Sequence, residues 1–142
     1  LGVFWVACSV SVQEHFVNHF KDYSIWLTTY GRKTGKPRMV QVWFAYVNDG
    51  FYILSRHGLK SWWAKNLLKN NRVIINLAGK AFHGVAHLIE DNDLTHEIWR
   101  YYKGKYRFYP QTYFSWKQKK LFQIEFDIFK EGNQPVSQPS KA

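Results

Sequence analysis

Cysteine is nearly absent. Cys8 is the only one in 142 residues, so no disulfide can form within the chain and a disulfide-stapled scaffold is excluded. Acidic residues are scarce too, ten Asp and Glu against twenty Lys and Arg, which leaves a net charge of +10. No long apolar run is present. The longest, Leu1 to Val12, falls short of the roughly 20 residues that span a bilayer and lacks the basic flank of a signal peptide. The chain opens on Leu1 rather than Met, so trimmed residues and a longer lost anchor both fit. The expectation from these absences is a basic, soluble, cytoplasmic protein.

Aromatic residues are plentiful. Seven Trp, nine Tyr and eleven Phe supply ample apolar area to bury, which excludes a disordered chain. The length fits one domain, read as residues 1–131 with 1–24 as an N-terminal extension. Residues 132–142, rich in Pro, Gln and Ser, read as a flexible C-terminal tail.

The positive charge is clustered. From Arg32 to Lys80 ten basic residues face a single acid, Asp49, and Arg100 to Lys120 holds seven basic residues and no acid. Such a field favours a phosphorylated cofactor, a nucleic acid or an anionic membrane surface; a solvated basic surface is the plain alternative.

Most segments alternate with the period of a β-strand. Phe122, Ile124, Phe126 and Ile128 are separated by Gln123, Glu125 and Asp127, which predicts a strand with one buried face. Strands are also expected over Ile25–Thr29, Arg38–Val47, Phe51–Ser55, Arg72–Ala78 and Phe82–Glu90, giving six, with hairpins at Asn48-Asp49-Gly50 and Gly79-Lys80. Helices are expected over Lys60–Asn70, closed by a left-handed Asn, and Asp93–Lys103, where Leu94, Ile98 and Tyr102 form one stripe. Residues 13–23 read as a further helix, and 1–12 as either an extra edge strand or helix. Successive hairpins around an aromatic core suggest a small antiparallel barrel, with a β-sandwich as the competing architecture.

Two strand ends carry the chemistry. Tyr30-Gly31-Arg32-Lys33-Thr34-Gly35-Lys36-Pro37-Arg38 surrounds a double-glycine turn with four cations and a hydroxyl, suited to gripping a phosphate. Pro37 follows Lys36, so this is not a Walker loop, and an ordinary basic hairpin turn fits these residues equally well. Ser55-Arg56-His57-Gly58 repeats the pattern ahead of a helix whose first amides favour an anion. His15 and His19, and His83 and His87, are each four apart, but no ligand set closes, so no metal is expected. The aromatic cluster Tyr101 to Trp116, interleaved with cations, is compatible with base stacking, with a flat heterocycle or with core packing.

Leu27-Thr28-Thr29-Tyr30-Gly31-Arg32-Lys33-Thr34-Gly35-Lys36-Pro37-Arg38 resembles the signature of the deazaflavin-dependent nitroreductase family, split-barrel flavoproteins related to pyridoxamine phosphate oxidase. Ser55-Arg56-His57-Gly58, Trp62-Trp63-Ala64-Lys65-Asn66-Leu67 and Tyr109-Pro110 with Tyr113 and Ser115-Trp116 continue the resemblance in order. The resemblance implies a mainly β fold, a six-stranded antiparallel split β-barrel of the FMN-binding type with flanking helices. It further implies an oxidoreductase that uses coenzyme F420, a deazaflavin with a phosphate and a polyglutamate tail, to pass hydride to a quinone, nitro compound or enone. Arg32, Lys33, Thr34 and Arg38 would meet the phosphate and tail carboxylates, and Ser55 and Arg56 the phosphate. Trp62, Trp63 and Asn66 would shape the pocket behind the deazaflavin, while Tyr109 and Tyr113 would act at the substrate face. FMN is the alternative cofactor, and a basic nucleic-acid-binding barrel is the alternative outside enzymes. A homodimer is common in such barrels; nucleic acid is not an obligatory partner, and weak association with an anionic membrane surface suits the charge.

Overall fold

Alternating polarity and positive-φ turns dictate most of this backbone. The computed structural model describes residues 13–55, 58–107 and 119–127. Residues 13–19 form helix α1. Then come β1 (Ile25–Tyr30), β2 (Pro37–Val42), β3 (Ala45–Val47), β4 (Gly50–Ser55), a 3-10 turn (Gly58–Lys60) and α2 (Trp62–Lys69). They are followed by β5 (Arg72–Leu77), β6 (Lys80–Ile89), α3 (Asn92–Lys105) and β7 (Lys120–Phe126). Residues 1–12, 56–57, 108–118 and 128–142 lie outside the described residues, and with them the expected edge strand, the tyrosine-rich segment, the end of the last strand and the tail.

All pairings are antiparallel, in the order β2-β1-β5-β6-β7-β4-β3. The sheet has seven strands where six were expected, because the run Arg38–Val47 breaks at Trp43-Phe44. Its first half pairs with β1 (Ile25↔Val42) and its second half with β4 (Val47↔Gly50), at opposite edges of the sheet. The three Cα steps from Val42 to Ala45 span at most about 11 Å. The sheet must therefore curl until its edges nearly meet at this seam.

Parity then sorts the side chains. β4 is buried at every position. Phe51 and Ile53 point into the barrel with Leu27, Phe44, Val73, Ile75, Phe122 and Ile124. Tyr52 and Leu54 face the other way and pack with Leu121, Ile98, Trp99 and Tyr102 beneath α3. Phe16 of α1 enters the barrel core, its ring 5.1 Å from those of Phe51 and Phe82.

The turns refine the expected hairpins. Asn48 and Asp49 both take positive φ, and Gly50 begins β4. The second hairpin turns at Ala78 and Gly79, again both at positive φ, with Leu77 opposite Lys80. Helix α2 does not end on a left-handed Asn. Asn70 is extended, and its Oδ1 accepts from Arg72 N at 3.1 Å, so the side chain starts the next strand instead of closing the helix. Helix α3 has the expected stripe, and Asp91 caps it by accepting from the amides of Asp93 and Leu94.

Candidate functional site

The loop from Gly31 to Lys36 joins β1 to β2 and closes on itself. Gly31 N donates to Lys36 O at 2.8 Å, and Gly35 N donates to Gly31 O at 2.7 Å. Gly35 stands at φ 75, the left-handed region that favours glycine. A Cβ on Gly31 would lie 2.7 Å from Thr34 Oγ1, the atom that accepts from Lys36 N. Gly35 is thus favoured by its backbone angle, and Gly31 leaves room for the Thr34 hydroxyl that bonds Lys36 N. Arg32, Lys33, Lys36 and Arg38 are exposed around it. Among the described residues no carboxylate pairs with any of these four cations.

Three contacts bring separate segments to α2. Asn66, 2% exposed, accepts from both the backbone N of Arg32 at 3.1 Å and its Nη1 at 3.0 Å, while its Nδ2 donates to Thr29 Oγ1. The Arg38 guanidinium lies over the Trp62 ring, 5.0 Å from the centroid, a cation–π contact. Ser55, at the end of β4, is buried and donates to Gly58 O at 2.7 Å. With that proton committed, Ser61 Oγ donates to Ser55 Oγ at 3.0 Å. Ser61 is the N-cap of α2, yet its side chain makes no capping bond, so the first turn of the helix has no side-chain cap.

The structure therefore assembles Arg32, Arg38, Ser55, Trp62 and Asn66 around α2, with Lys33 and Thr34 on the same loop. Trp63 takes the opposite side: it is buried in the barrel core, its ring 6.0 Å from that of Phe122. Arg56, Tyr109 and Tyr113 lie outside the described residues. Sequence reasoning missed Ser61 as a member of this group. A Ser directly before a helix is a legible N-cap signal, hidden because the helix was expected to start at Lys60.

Missed also was a buried amine at the barrel seam. Lys105 Nζ donates to Phe44 O at 3.0 Å, and burial lowers its pKa to about 7, opposed by the nearby Asp22 carboxylate. Beside it, burial pushes the Tyr106 phenol well up; its hydroxyl donates to Tyr23 O at 2.7 Å and accepts from Phe44 N at 3.3 Å. His15, His19 and His87 each bond a neighbour in the fold. His15 bonds Leu77 O at 2.8 Å, His19 pairs with Asp22 and His87 with Glu125, while burial lowers the pKa of His15 and His83.

The family model of the F420H(2)-dependent quinone reductases matches residues 8–122. No curated protein matches the sequence. Solved structures do. The conserved hypothetical protein Rv2991 from Mycobacterium tuberculosis superimposes with a TM-score of 0.66 at 17% identity, over 90% of this chain and 93% of its own. A protein from Listeria innocua named for pyridoxamine 5'-phosphate oxidase gives 0.64 at 15%, over 84% and 93%. An F420-H2 dependent reductase, FDR-A, gives 0.58 at 24%, over 73% and 95%. At these identities the likeness establishes the fold, a mainly β split barrel with flanking helices.

Proposed function

The chain belongs to the F420H(2)-dependent quinone reductase family, which makes it an F420-dependent oxidoreductase, and we propose that it holds the cofactor where the Gly31 loop and the end of β4 meet α2. One observation carries the placement: contacts from Arg32, Arg38 and Ser55 all end on the segment from Ser61 to Asn66. The donor set suits F420. Exposed cations unpaired with any described carboxylate fit an anionic phosphate and tail, as does a helix start without a side-chain cap.

When bound, the reduced deazaflavin supplies a hydride, and the protein supplies orientation and electrostatics. Arg32, Lys33 and Arg38 attract and hold the anionic portion. Ser61 and the amides of the first turn of α2 receive the phosphate, Ser61 turning to it from Ser55, whose own proton stays on Gly58 O, with Arg56 beside them in sequence. Trp62, already under the Arg38 guanidinium, offers a flat apolar face, and Trp63 backs it from the core. Tyr109 and Tyr113, which resemble the family's tyrosine-rich segment, serve the acceptor side, Tyr113 as a hydrogen-bond or proton donor. The acceptor is a small quinone.

The test is a fluorescence titration of the purified protein with F420 and, separately, FMN, at low and high salt, followed by quinone reduction. Saturable one-to-one F420 binding that weakens with salt, with turnover lost and binding kept in Tyr113→Phe, is the expected result. Binding of FMN alone, or of neither, overturns the reading.

A further inference from the structure

We propose that Asn66 is a positioning residue: it acts on the cofactor through Arg32 and does not touch the cofactor itself. The inference rests on the assignment of Arg32 to the anionic part of F420.

Asn66 is 2% exposed, so its amide faces protein on all sides. A primary amide offers an oxygen with two lone pairs and a nitrogen with two protons. Both lone pairs of Oδ1 are in use, one on Arg32 N at 3.1 Å and one on Arg32 Nη1 at 3.0 Å. On the other side Nδ2 donates to Oγ1 of Thr29, a residue with no exposed surface. A flipped amide would set N–H protons against the two donors of Arg32. The amide orientation is thereby fixed, and with it the place of the guanidinium.

Arg32 is otherwise an exposed loop residue whose long side chain would sample many rotamers. Its guanidinium has five N–H donors and gives one of them to Asn66, which leaves a planar fork for an anion. Because the same oxygen holds the Arg32 backbone, the loop and the guanidinium are set together. The entropy of ordering both is lost on folding, before any ligand arrives, so less of it opposes binding. A cofactor contact at Asn66 would have to displace Arg32.

Two readouts test this. In the cofactor-free protein, NMR of the Arg32 guanidinium should show distinct, slowly averaging side-chain signals that merge in Asn66→Ala. Thr29→Val, which removes the acceptor that orients the amide but keeps the residue's shape, should loosen them too. In a fluorescence titration with F420, Asn66→Ala should weaken binding about tenfold, the loss of one hydrogen bond to a charged group. Arg32→Ala should weaken it at least as much, and the double variant no more than Arg32→Ala alone. KM for the reduced cofactor should rise with kcat at saturation unchanged. If Asn66→Ala does not fold, Thr29→Val carries the same comparison, alone and combined with Arg32→Ala.

Fully additive losses, unchanged Arg32 signals or a fall in kcat overturn the proposal. So does a wild type that binds F420 with an Arg32→Ala defect but no Asn66→Ala defect. A wild type that fails to bind F420 overturns instead the cofactor reading beneath it, and the NMR signals then report on the tether alone.

Discussion

Lys105 Nζ donates to the Phe44 carbonyl at 3.0 Å and lies 3.6 Å from the centroid of the Phe44 ring. Phe44 is one of the two residues that carry the chain from one sheet edge to the other, so a cation from α3 sits on the seam where the barrel closes.

Burial at that seam gives stability a pH dependence. The Lys105 amine has a pKa of about 7 when folded and its ordinary 10.5 when unfolded, so between these values the unfolded chain binds the extra proton. The cost of burying the charge is in full force below pH 7 and is relieved as pH rises toward 10.5. Thermal melts from pH 6.5 to 9.5 should show Lys105→Met more stable than wild type by about 1–3 kcal/mol at the acid end, the gap narrowing with pH. A gap that is constant with pH would refute the assignment.

Two tyrosine hydroxyls, from Tyr102 of α3 and from its C-cap Tyr106, complete the same seam. Tyr102 Oη accepts from Leu54 N at 3.1 Å and donates to Trp43 O at 3.0 Å, supplying a partner to β4 beyond the end of the short strand β3. Tyr102→Phe leaves a buried backbone amide without that acceptor and should cost about 1–3 kcal/mol in urea unfolding. Tyr106→Phe should cost about 1–2 kcal/mol for the bonds to Tyr23 and Phe44.

Two glycines give opposite expectations. A Cβ on Gly84 would lie 2.6 Å from Glu125 O and 3.1 Å from Ile124 Cγ2, where β6 meets β7. Gly84→Ala should destabilise by about 1–3 kcal/mol, since backbone on the partner strand must move. Around Gly104, in the last turn of α3, a Cβ meets nothing within 4 Å, and Gly104→Ala should stabilise by about 0.5 kcal/mol through helix propensity. Denaturant midpoints of the two variants should shift in opposite directions.

The serine pair separates binding from folding. Ser55→Ala removes the donor to Gly58 O and the acceptor of Ser61, and should lower stability by about 1 kcal/mol as well as F420 affinity. Ser61→Ala removes only the half-exposed bond to Ser55 Oγ and no cap, so it should cost no more than about 0.5 kcal/mol, while F420 binding weakens about three- to tenfold. Calorimetric melts and the fluorescence titration read the two effects apart.

Much of this architecture is legible in local pattern. Alternation gives β5, β6 and β7, the Leu94–Ile98–Tyr102 stripe gives α3, and the Asn48-Asp49 turn, which needs only its neighbours, implies the returning strand β4. The double-glycine loop was legible for the same reason: φ and close approach are properties of a few consecutive residues. The break at Trp43-Phe44 was not, since Arg38 to Val47 reads as unbroken strand and only its two pairing partners divide it.

The sequence by itself determined the strands apart from the division of Arg38–Val47, the charge clustered between Arg32 and Lys80, and the family pattern, because these rest on composition and spacing along the chain. Tertiary structure alone decided which of those residues meet. Asn66 reaches Arg32 across 34 positions, where α2 packs on β1 and its loop, and Lys105 reaches Phe44 across 61, at the two-residue seam that forces the sheet to curl. Burial follows from that closure rather than from residue type, so a polar amide became a tether and a surface-type lysine became a buried amine.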